Sequence, residues 1–464
     1  MASLSSKPTY VRRKPRRKVR WQLLLILVAL VGVGSYFGIK KVMSLLTPKE
    51  VIIEYALEGL SVEESKAILS SPHNEEGEYE LVDYVLYGES LQFYADTYKM
   101  GTKDELVGKN IMCRNASTGS ELVYYLGNYL DEGIHIYELP VGVYEVYLSS
   151  LMKNERMFMK EEMKEEFYTI TRKGITHKVT LLADTNYFYP DHEELNLDKP
   201  YVYILVEEAQ LPDEYYDIVI DPGHFAYDCY VDSCYGYVDN GSISQNGKYI
   251  ESELVYQVSL VLKEELEKAG FKVLLTRDDV TPVDMYGVDG RIYKSVKAKA
   301  KLFISNHLNS INDSSVHGAE VWHSAYSTTT FAQTVLNSLV ENTNIVASGN
   351  IGGGNKIPSV ISSTVSAEKY GQKYDGFMMI REPGGKGTQA GRLSEAAIKN
   401  NGPFVEDINY GAQALLIEYV YMSNKKDIEA WEANYESYGK AVASAIIDYL
   451  QIDFYDTEMP TQGE

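Results

Sequence analysis

The stretch YYDIVIDPGHF, Tyr215–Phe225, decides the fold. Its short apolar run, Ile218-Val219-Ile220, predicts a buried strand, and Asp221-Pro222-Gly223 breaks that strand, leaving His224 at its carboxyl end. Open α/β sheets keep their ligands at that edge. A polar loop rich in Gly and Tyr follows. Then comes IESELVYQVSLVLKEELEKAG (250–270), whose Leu254, Val258, Val261, Leu262 and Leu266 fall on one helical stripe, with Glu251 in the first turn. A histidine ending a strand and an acid opening the next helix can meet at one point.

Strand and helix patterns keep alternating to about Gln451. FKVLLTR (271–277), KLFISNHLN (301–309), AEVWH (319–323) and Leu415–Tyr419 within AQALLIEYVYMSN predict strands. Helices are predicted around Arg291–Ala300, Thr328–Glu341 and Asp427–Leu450. The fold class is therefore α/β over 215–451, a mostly parallel sheet with helices on both faces. His224, His307 and Glu418 all fall at carboxyl edges of such strands, and Glu251 opens a helix on the same side. Two imidazoles and two carboxylates converging on one crevice are what a catalytic zinc site needs: about three ligands, and a carboxylate outside them acting as base. Taken singly, each residue has a plainer reading. His224 or His307 alone is a hydrogen-bonded core histidine, and Glu251 is an acid favoured by the helix dipole. Glu418, set among Leu416, Ile417 and Tyr419, is harder to explain without a partner.

The ordered set DPGH, a Glu heading an amphipathic helix, LTR, FISNHLNS, GAEVW and ALLIEYVYMSN resembles the zinc-dependent N-acetylmuramoyl-L-alanine amidases of the α/β type, over about Tyr215 to Gln451. The resemblance implies His224, Glu251 and His307 as zinc ligands and Glu418 as the catalytic acid–base. Glu253 is the rival for the helix position. It also implies peptidoglycan as partner and hydrolysis of the amide between N-acetylmuramic acid and L-alanine. Asn309, Arg291 and Phe225 are the candidates for substrate contact. Phe225 stands where the family commonly has Gly, and its ring could narrow access or stack on a sugar. The leading reading of Arg277 and Arg291 is that they hold loops or pair with buried carboxylates, although Arg291 could meet substrate carboxylates. His317 and His323 take no role. The segment Asn342–Pro403 is long for the family. Its EPGGKGTQAG is no phosphate loop, since Gly387 follows Lys386, and reads either as a flexible surface loop or as a lid or inhibitory plug.

Upstream, segments such as ELVDYVLYG, SLQFYADTY, EFYTITRKG and PYVYILVEE alternate apolar and polar residues and are rich in Tyr, Val and Thr. They predict a small all-β accessory or spacer domain over 51–212, with Leu211-Pro212-Asp213-Glu214 as its boundary. Ser61 and Glu64 have the spacing of a helix capping box. Residues 1–20 carry a cluster of Lys and Arg and no acid, and WQLLLILVALVGVGSYFGI (21–39) is uncharged. Such a run matches the ~30 Å core of a bilayer, with the basic side cytoplasmic. The expectation is a single-pass anchor in the cytoplasmic membrane with the catalytic part outside the cell. A cleaved signal peptide is the competing reading. Residues 452–464 form an acidic tail.

The 464 residues carry a net charge of -22, which excludes nucleic acid as a partner, because phosphate binding needs a basic face. Three cysteines make no disulfide framework, though Cys229 and Cys234 could close a small ring. Two other functions compete with the amidase: a zinc peptidase cutting stem peptides, and an inactive wall-binding or regulatory protein. The sequence names no activator protein.

Overall fold

The structure is a computed structural model that describes residues 61–64, 77–95, 106–125, 133–151, 153–170, 176–188, 190–191, 193–227, 238–244, 246–287, 289–348, 359–367, 372–388 and 409–451. The basic tail, the 21–39 segment, Cys229, Cys234 and the acidic tail lie outside these residues. Among the described residues, no helix is long and apolar enough to cross a membrane. Ser61 and Glu64 do form the reciprocal capping box: the Ser61 amide donates to Glu64 Oε2 at 3.0 Å, and the Glu64 amide donates to Ser61 Oγ at 3.2 Å.

Among the described residues, eleven strands precede Tyr215: β1 (Glu78–Glu80), β2 (Asp83–Tyr87), β3 (Ser90–Tyr94), β4 (Asn110–Asn115), β5 (Glu121–Tyr125), β6 (Gly133–Ile136), β7 (Gly142–Ser149), β8 (Asn154–Phe158), β9 (Met163–Ile170), β10 (Thr176–Asp184) and β11 (Tyr201–Ala209). Most pair antiparallel in an eight-stranded sheet of order β5-β4-β7-β8-β11-β10-β9, with β1 against β8. A second sheet contains β2, β3 and β6. The two share one core: Leu86, Leu91, Phe93, Ile134 and Ile136 meet Ile111, Val146, Leu181, Val202 and Ile204. This follows from the alternation in the sequence, which gives each strand an apolar face.

The rest of the chain builds a six-stranded sheet from β12 (Ile218–Pro222), β15 (Val273–Leu275), β16 (Leu302–Asn309), β17 (Glu320–His323), β18 (Val360–Ser362) and β22 (Gln413–Tyr421), in the order β15-β12-β16-β22-β17-β18. All neighbours are parallel except β17 and β22, and β13 (Ala226–Tyr227) and β14 (Val238–Asp239) pair antiparallel outside this sheet. Three helices cover one face: α1 (Glu251–Lys268), α3 (Thr330–Asn342) and α5 (Lys425–Gln451), their Val258, Leu262, Val335, Leu339, Trp431 and Ile446 packing on Ile218, Ile304 and Ile417. On the other face, α2 (Arg291–Ala298) and the short α4 (Met378–Arg381) place Ile292, Met379 and Ile380 on Val219, Phe303 and Leu416. Ile218, Val219 and Ile220 are fully buried because both faces are covered. The sheet is α/β and mostly parallel, and its principal elements lie within about two residues of the sequence reading.

The described parts of Asn342–Pro403 are more ordered than a surface loop. They supply β18, a hairpin of β19 (Thr364–Ala367) and β20 (Gln372–Asp375), and α4. Glu382–Gly385, Gly387 and Thr388 are buried, so EPGGKG is a packed turn, correcting the flexible-loop reading. The glycines permit this: a Cβ on Gly387 would meet the Tyr87 ring at 2.7 Å, and one on Gly411 would meet Gly384 O at 1.9 Å. The two strand systems are also joined, since β21 (Tyr410–Gly411) pairs in parallel with β2. Residues 349–358, 368–371 and 389–403 of the segment read as a loop, lid or plug lie outside the described residues.

Candidate metal centre

The turn after β12 is the first part of the site. His224 and Phe225 have φ of 60° and 58°, a backbone region that costs non-glycine residues about 1–3 kcal/mol. Two buried arginines hold the turn in place. Arg277 donates from Nε to Pro222 O at 2.9 Å and from Nη2 to Gly223 O at 2.8 Å. Arg291 donates from Nη1 to Pro222 O at 3.2 Å and to His224 O at 3.0 Å. Arg291 is 3% exposed, commits Nη1 to this backbone and is not among the residues that line the cavity, which fits its loop-holding reading rather than its reading as a substrate contact. Its partner in charge is Asp221, with Nε 3.6 Å from Oδ1.

Glu251 begins α1. Its Oε2 accepts the Ser242 amide at 2.8 Å, and its Oε1 accepts the Leu308 amide at 3.0 Å. The same Oε1 lies 3.0 Å from His224 Nε2 and 3.1 Å from His307 Nδ1. Burial opposes ionisation of Glu251, but hydrogen bonds to and attraction from the two imidazoles outweigh it and hold the carboxyl well below its usual range. Glu253, the rival, is exposed and makes no such contact. His224 Nδ1 meets Asp239 Oδ2 at 2.8 Å. Burial works against the His224 imidazolium, yet Asp239 and Glu251 push its pKa up to about 9. Burial pulls the more deeply set His307 down instead, and Glu251 only partly offsets it.

His224, Glu251 and His307 thus offer three donor atoms that all lie within 4.8 Å of one another. Two nitrogens and one carboxylate oxygen suit a zinc ion with an open position, and a further carboxylate on His224 is the usual outer support. The donor set fits. Two glycines make room for it: a Cβ on Gly223 would come 2.4 Å from His307 Cε1, and one on Gly241 would come 2.6 Å from both Glu251 Oε2 and His224 Cδ2.

Glu418 projects from β22 beside His307 on β16, and Glu320 on β17 is its cross-strand partner. Its Oε2 is buried without a hydrogen-bond partner among the described residues. Burial, then the Glu251 and Glu320 charges, raise its pKa well above the ordinary range. Glu320 is itself tied down by Tyr421 Oη at 2.6 Å and Asn309 Nδ2 at 3.1 Å. All four principal residues line a cavity of about 500 Å³, together with Asp239, Asn309, Met285, Leu308, Phe377, Met378 and Met379.

Of the residues expected to touch substrate, Asn309 lines the cavity, whereas Phe225 does not; its ring lies 5.3 Å from the Arg277 guanidinium. Sequence reasoning did not single out Asp239, Glu320 or the apolar wall Phe377–Met379. Asp239 carries a signal only in hindsight, as the last of three acids, after Asp228 and Asp232, in a Gly- and Tyr-rich loop.

An α/β sheet with two imidazoles and a carboxylate at its ligand edge, and a buried carboxylate beside them, is the arrangement of a hydrolase site that could hold a metal ion. Residues 218–364 match the family model described as N-acetylmuramoyl-L-alanine amidase, and the chain carries a domain of that family. The match includes His224, Glu251 and His307 and ends before Glu418. No curated protein sequence matches the chain.

Among solved structures, the chain is similar to the N-acetylmuramoyl-L-alanine amidase AmiC2 of Nostoc punctiforme, with 21% identity, 50% of this chain and 96% of that one covered, and a TM-score of 0.34. It is similar to the catalytic domain of CwlV from Bacillus (Paenibacillus) polymyxa var. colistinus, with 21% identity, coverages of 51% and 99%, and a TM-score of 0.35. The CwlD amidase of Clostridioides difficile, solved in complex with the GerS lipoprotein, shows 18% identity, coverages of 51% and 100%, and a TM-score of 0.34.

Proposed function

We propose that the protein hydrolyses the amide between N-acetylmuramic acid and L-alanine in peptidoglycan, with zinc held by His224, Glu251 and His307. The observation that carries the reading is the convergence of these three donors, with Glu418 beside them in the same cavity. When bound, zinc supplies a Lewis acid at the scissile carbonyl. Glu418 takes a proton from the attacking water and returns it to the departing amine, a task suited to a carboxyl whose proton affinity is raised. Asp239 fixes the tautomer and orientation of His224, and the Ser242 and Leu308 amides orient the Glu251 carboxylate. Asn309, which lines the cavity with Ser242 and Ser310, is the polar residue we assign to substrate contact.

The test is digestion of purified peptidoglycan by the protein, with and without a chelator. Free stem peptides leaving intact sugar strands, and their loss on chelation, are expected. Cleaved stems would indicate a peptidase, and sugar fragments a glycosidase. In this reading, residues 21–39 anchor the chain in the cytoplasmic membrane with the catalytic part outside, where peptidoglycan lies. Protease accessibility of the amidase domain on intact cells tests that placement.

A further inference from the structure

The strands before Tyr215 were expected to be a spacer, yet they grip the segment that forms one side of the catalytic cavity. Phe377, Met378 and Met379 make that apolar side. The segment continues as a tightly bonded knot: the Arg381 and Glu382 amides donate to Phe377 O and Met378 O, and Thr388 Oγ1 donates to Arg381 O. Arg381 Nη1 donates to Asp375 O at 2.8 Å, and the Phe377 amide donates to Ser363 Oγ at 3.0 Å. The knot ends at Lys386, whose Nζ pairs with Asp83 Oδ1 at 2.5 Å and with Asn409 Oδ1 at 2.9 Å. Asp83 opens β2. Its side chain is 10% exposed and that of Lys386 17%, so the pair is well shielded from water.

Three further contacts converge on the same place. The Gly387 backbone lies against the Tyr87 ring. The chain returns as β21, the Leu86 and Gly88 amides donating to Asn409 O at 3.0 Å and Gly411 O at 2.8 Å. Asn409 Nδ2 donates to Glu165 Oε2 at 3.3 Å, and Tyr84 Oη donates to the same oxygen at 2.5 Å. Two residues after Gly411, β22 begins and runs to Glu418.

We infer that Asp83 and Lys386 are positioning residues for the catalytic cavity: the β2 region holds the Glu382–Thr388 knot, and through it the Phe377–Met379 wall, at the place where substrate must lie. The wall contacts substrate before and during reaction alike, so its displacement weakens binding and leaves the proton transfers intact. The effect falls on KM. This kinetic consequence rests on the amidase reading; the structural coupling does not.

The experiment compares the full chain with Asp83→Asn, Lys386→Met and the charge-swapped double variant D83K/K386D, by hydrogen exchange and by kinetics on peptidoglycan. In both single variants, exchange at the Phe377, Arg381 and Glu382 amides rises by roughly tenfold or more while that of β12 and β16 stays unchanged. KM rises by about tenfold with kcat and zinc binding nearly unaltered, and the swap restores part of both. Should the swap fail to fold, Asn409→Ala removes the neutral partner of Lys386 together with its bond to Glu165 while leaving the Asp83 pair in place, and a smaller rise at the same amides is expected. Unchanged exchange at those amides overturns the inference, as does a rise spread evenly over the whole chain. A protein that shows the exchange pattern but releases no stem peptides would lose the amidase reading and keep this one.

Discussion

His307 and Glu418 are register partners on the adjacent parallel strands β16 and β22, so the sheet itself sets the lateral spacing between a proposed metal ligand and the proposed acid–base. Side chains of partnered residues emerge on the same face, and neighbouring strands lie about 4.8 Å apart. Hydrolysis needs that closeness, because the proton acceptor must reach the attacking water. Glu320 continues the same line on the far side of Glu418.

Glu418→Gln keeps the shape of the side chain and removes its ability to accept a proton. Turnover should fall by about 10²–10⁴-fold while the protein binds zinc as before. Single-turnover rates and metal content, measured on one preparation, check both halves.

Gly223→Ala and Gly241→Ala should damage the metal centre without altering any ligand. The new Cβ would press on His307 in the first case, and on Glu251 and His224 in the second. Asp239→Ala removes the carboxylate on His224 Nδ1. Each is expected to weaken zinc affinity by roughly 10–100-fold, read by competition with a metal indicator.

Phe225→Gly should be tolerated. The residue already has a φ of 58°, which glycine adopts freely, and its ring lies outside the cavity. Relief of about 1 kcal/mol of backbone strain is opposed by greater freedom of the unfolded chain and by loss of the ring's contact with Arg277. A Tm within a few degrees of wild type and retained activity are expected; Phe225→Val, β-branched at positive φ, should be clearly less stable.

Asp375 makes stability depend on pH. It is fully buried, accepts Ser324 Oγ at 2.6 Å and the Ala325 amide at 2.7 Å, and burial raises its pKa to about 6. A carboxyl that holds its proton more tightly when folded adds stability below its unfolded pKa, near 4, and loses it as pH rises through about 6. The loss is roughly 3 kcal/mol by neutral pH. The Tm of wild type relative to Asp375→Asn should therefore fall between pH 4 and pH 7, and a constant difference would contradict the assignment.

The sheet and the ligand trio were legible because both rest on local patterns. Ile218–Ile220 is apolar throughout since two layers cover it, and His224, Glu251 and His307 each sit at a strand or helix end that periodicity locates. Arg291 had two readings, and the loop-holding one fits its bonds to Pro222 O and His224 O and its place beside Asp221; an arginine bracing a strained turn has the same sequence signature as one awaiting a substrate carboxylate. Phe225 misled because its unusual property is a backbone angle, which sequence does not display. Lys386 and Asp83 are some three hundred residues apart, and only the folded chain shows that a glycine-rich turn is packed against Tyr87. Glu320 stayed hidden within an ordinary strand pattern until pairing set it opposite Glu418.

The most direct measurement is the zinc content of the purified protein after dialysis, for wild type and for Glu251→Ala, with folding monitored in parallel. The account predicts about one tightly held zinc per wild-type chain and a folded Glu251→Ala protein that retains almost none. A wild-type chain that binds no zinc, or a variant that binds as much as wild type, would contradict it.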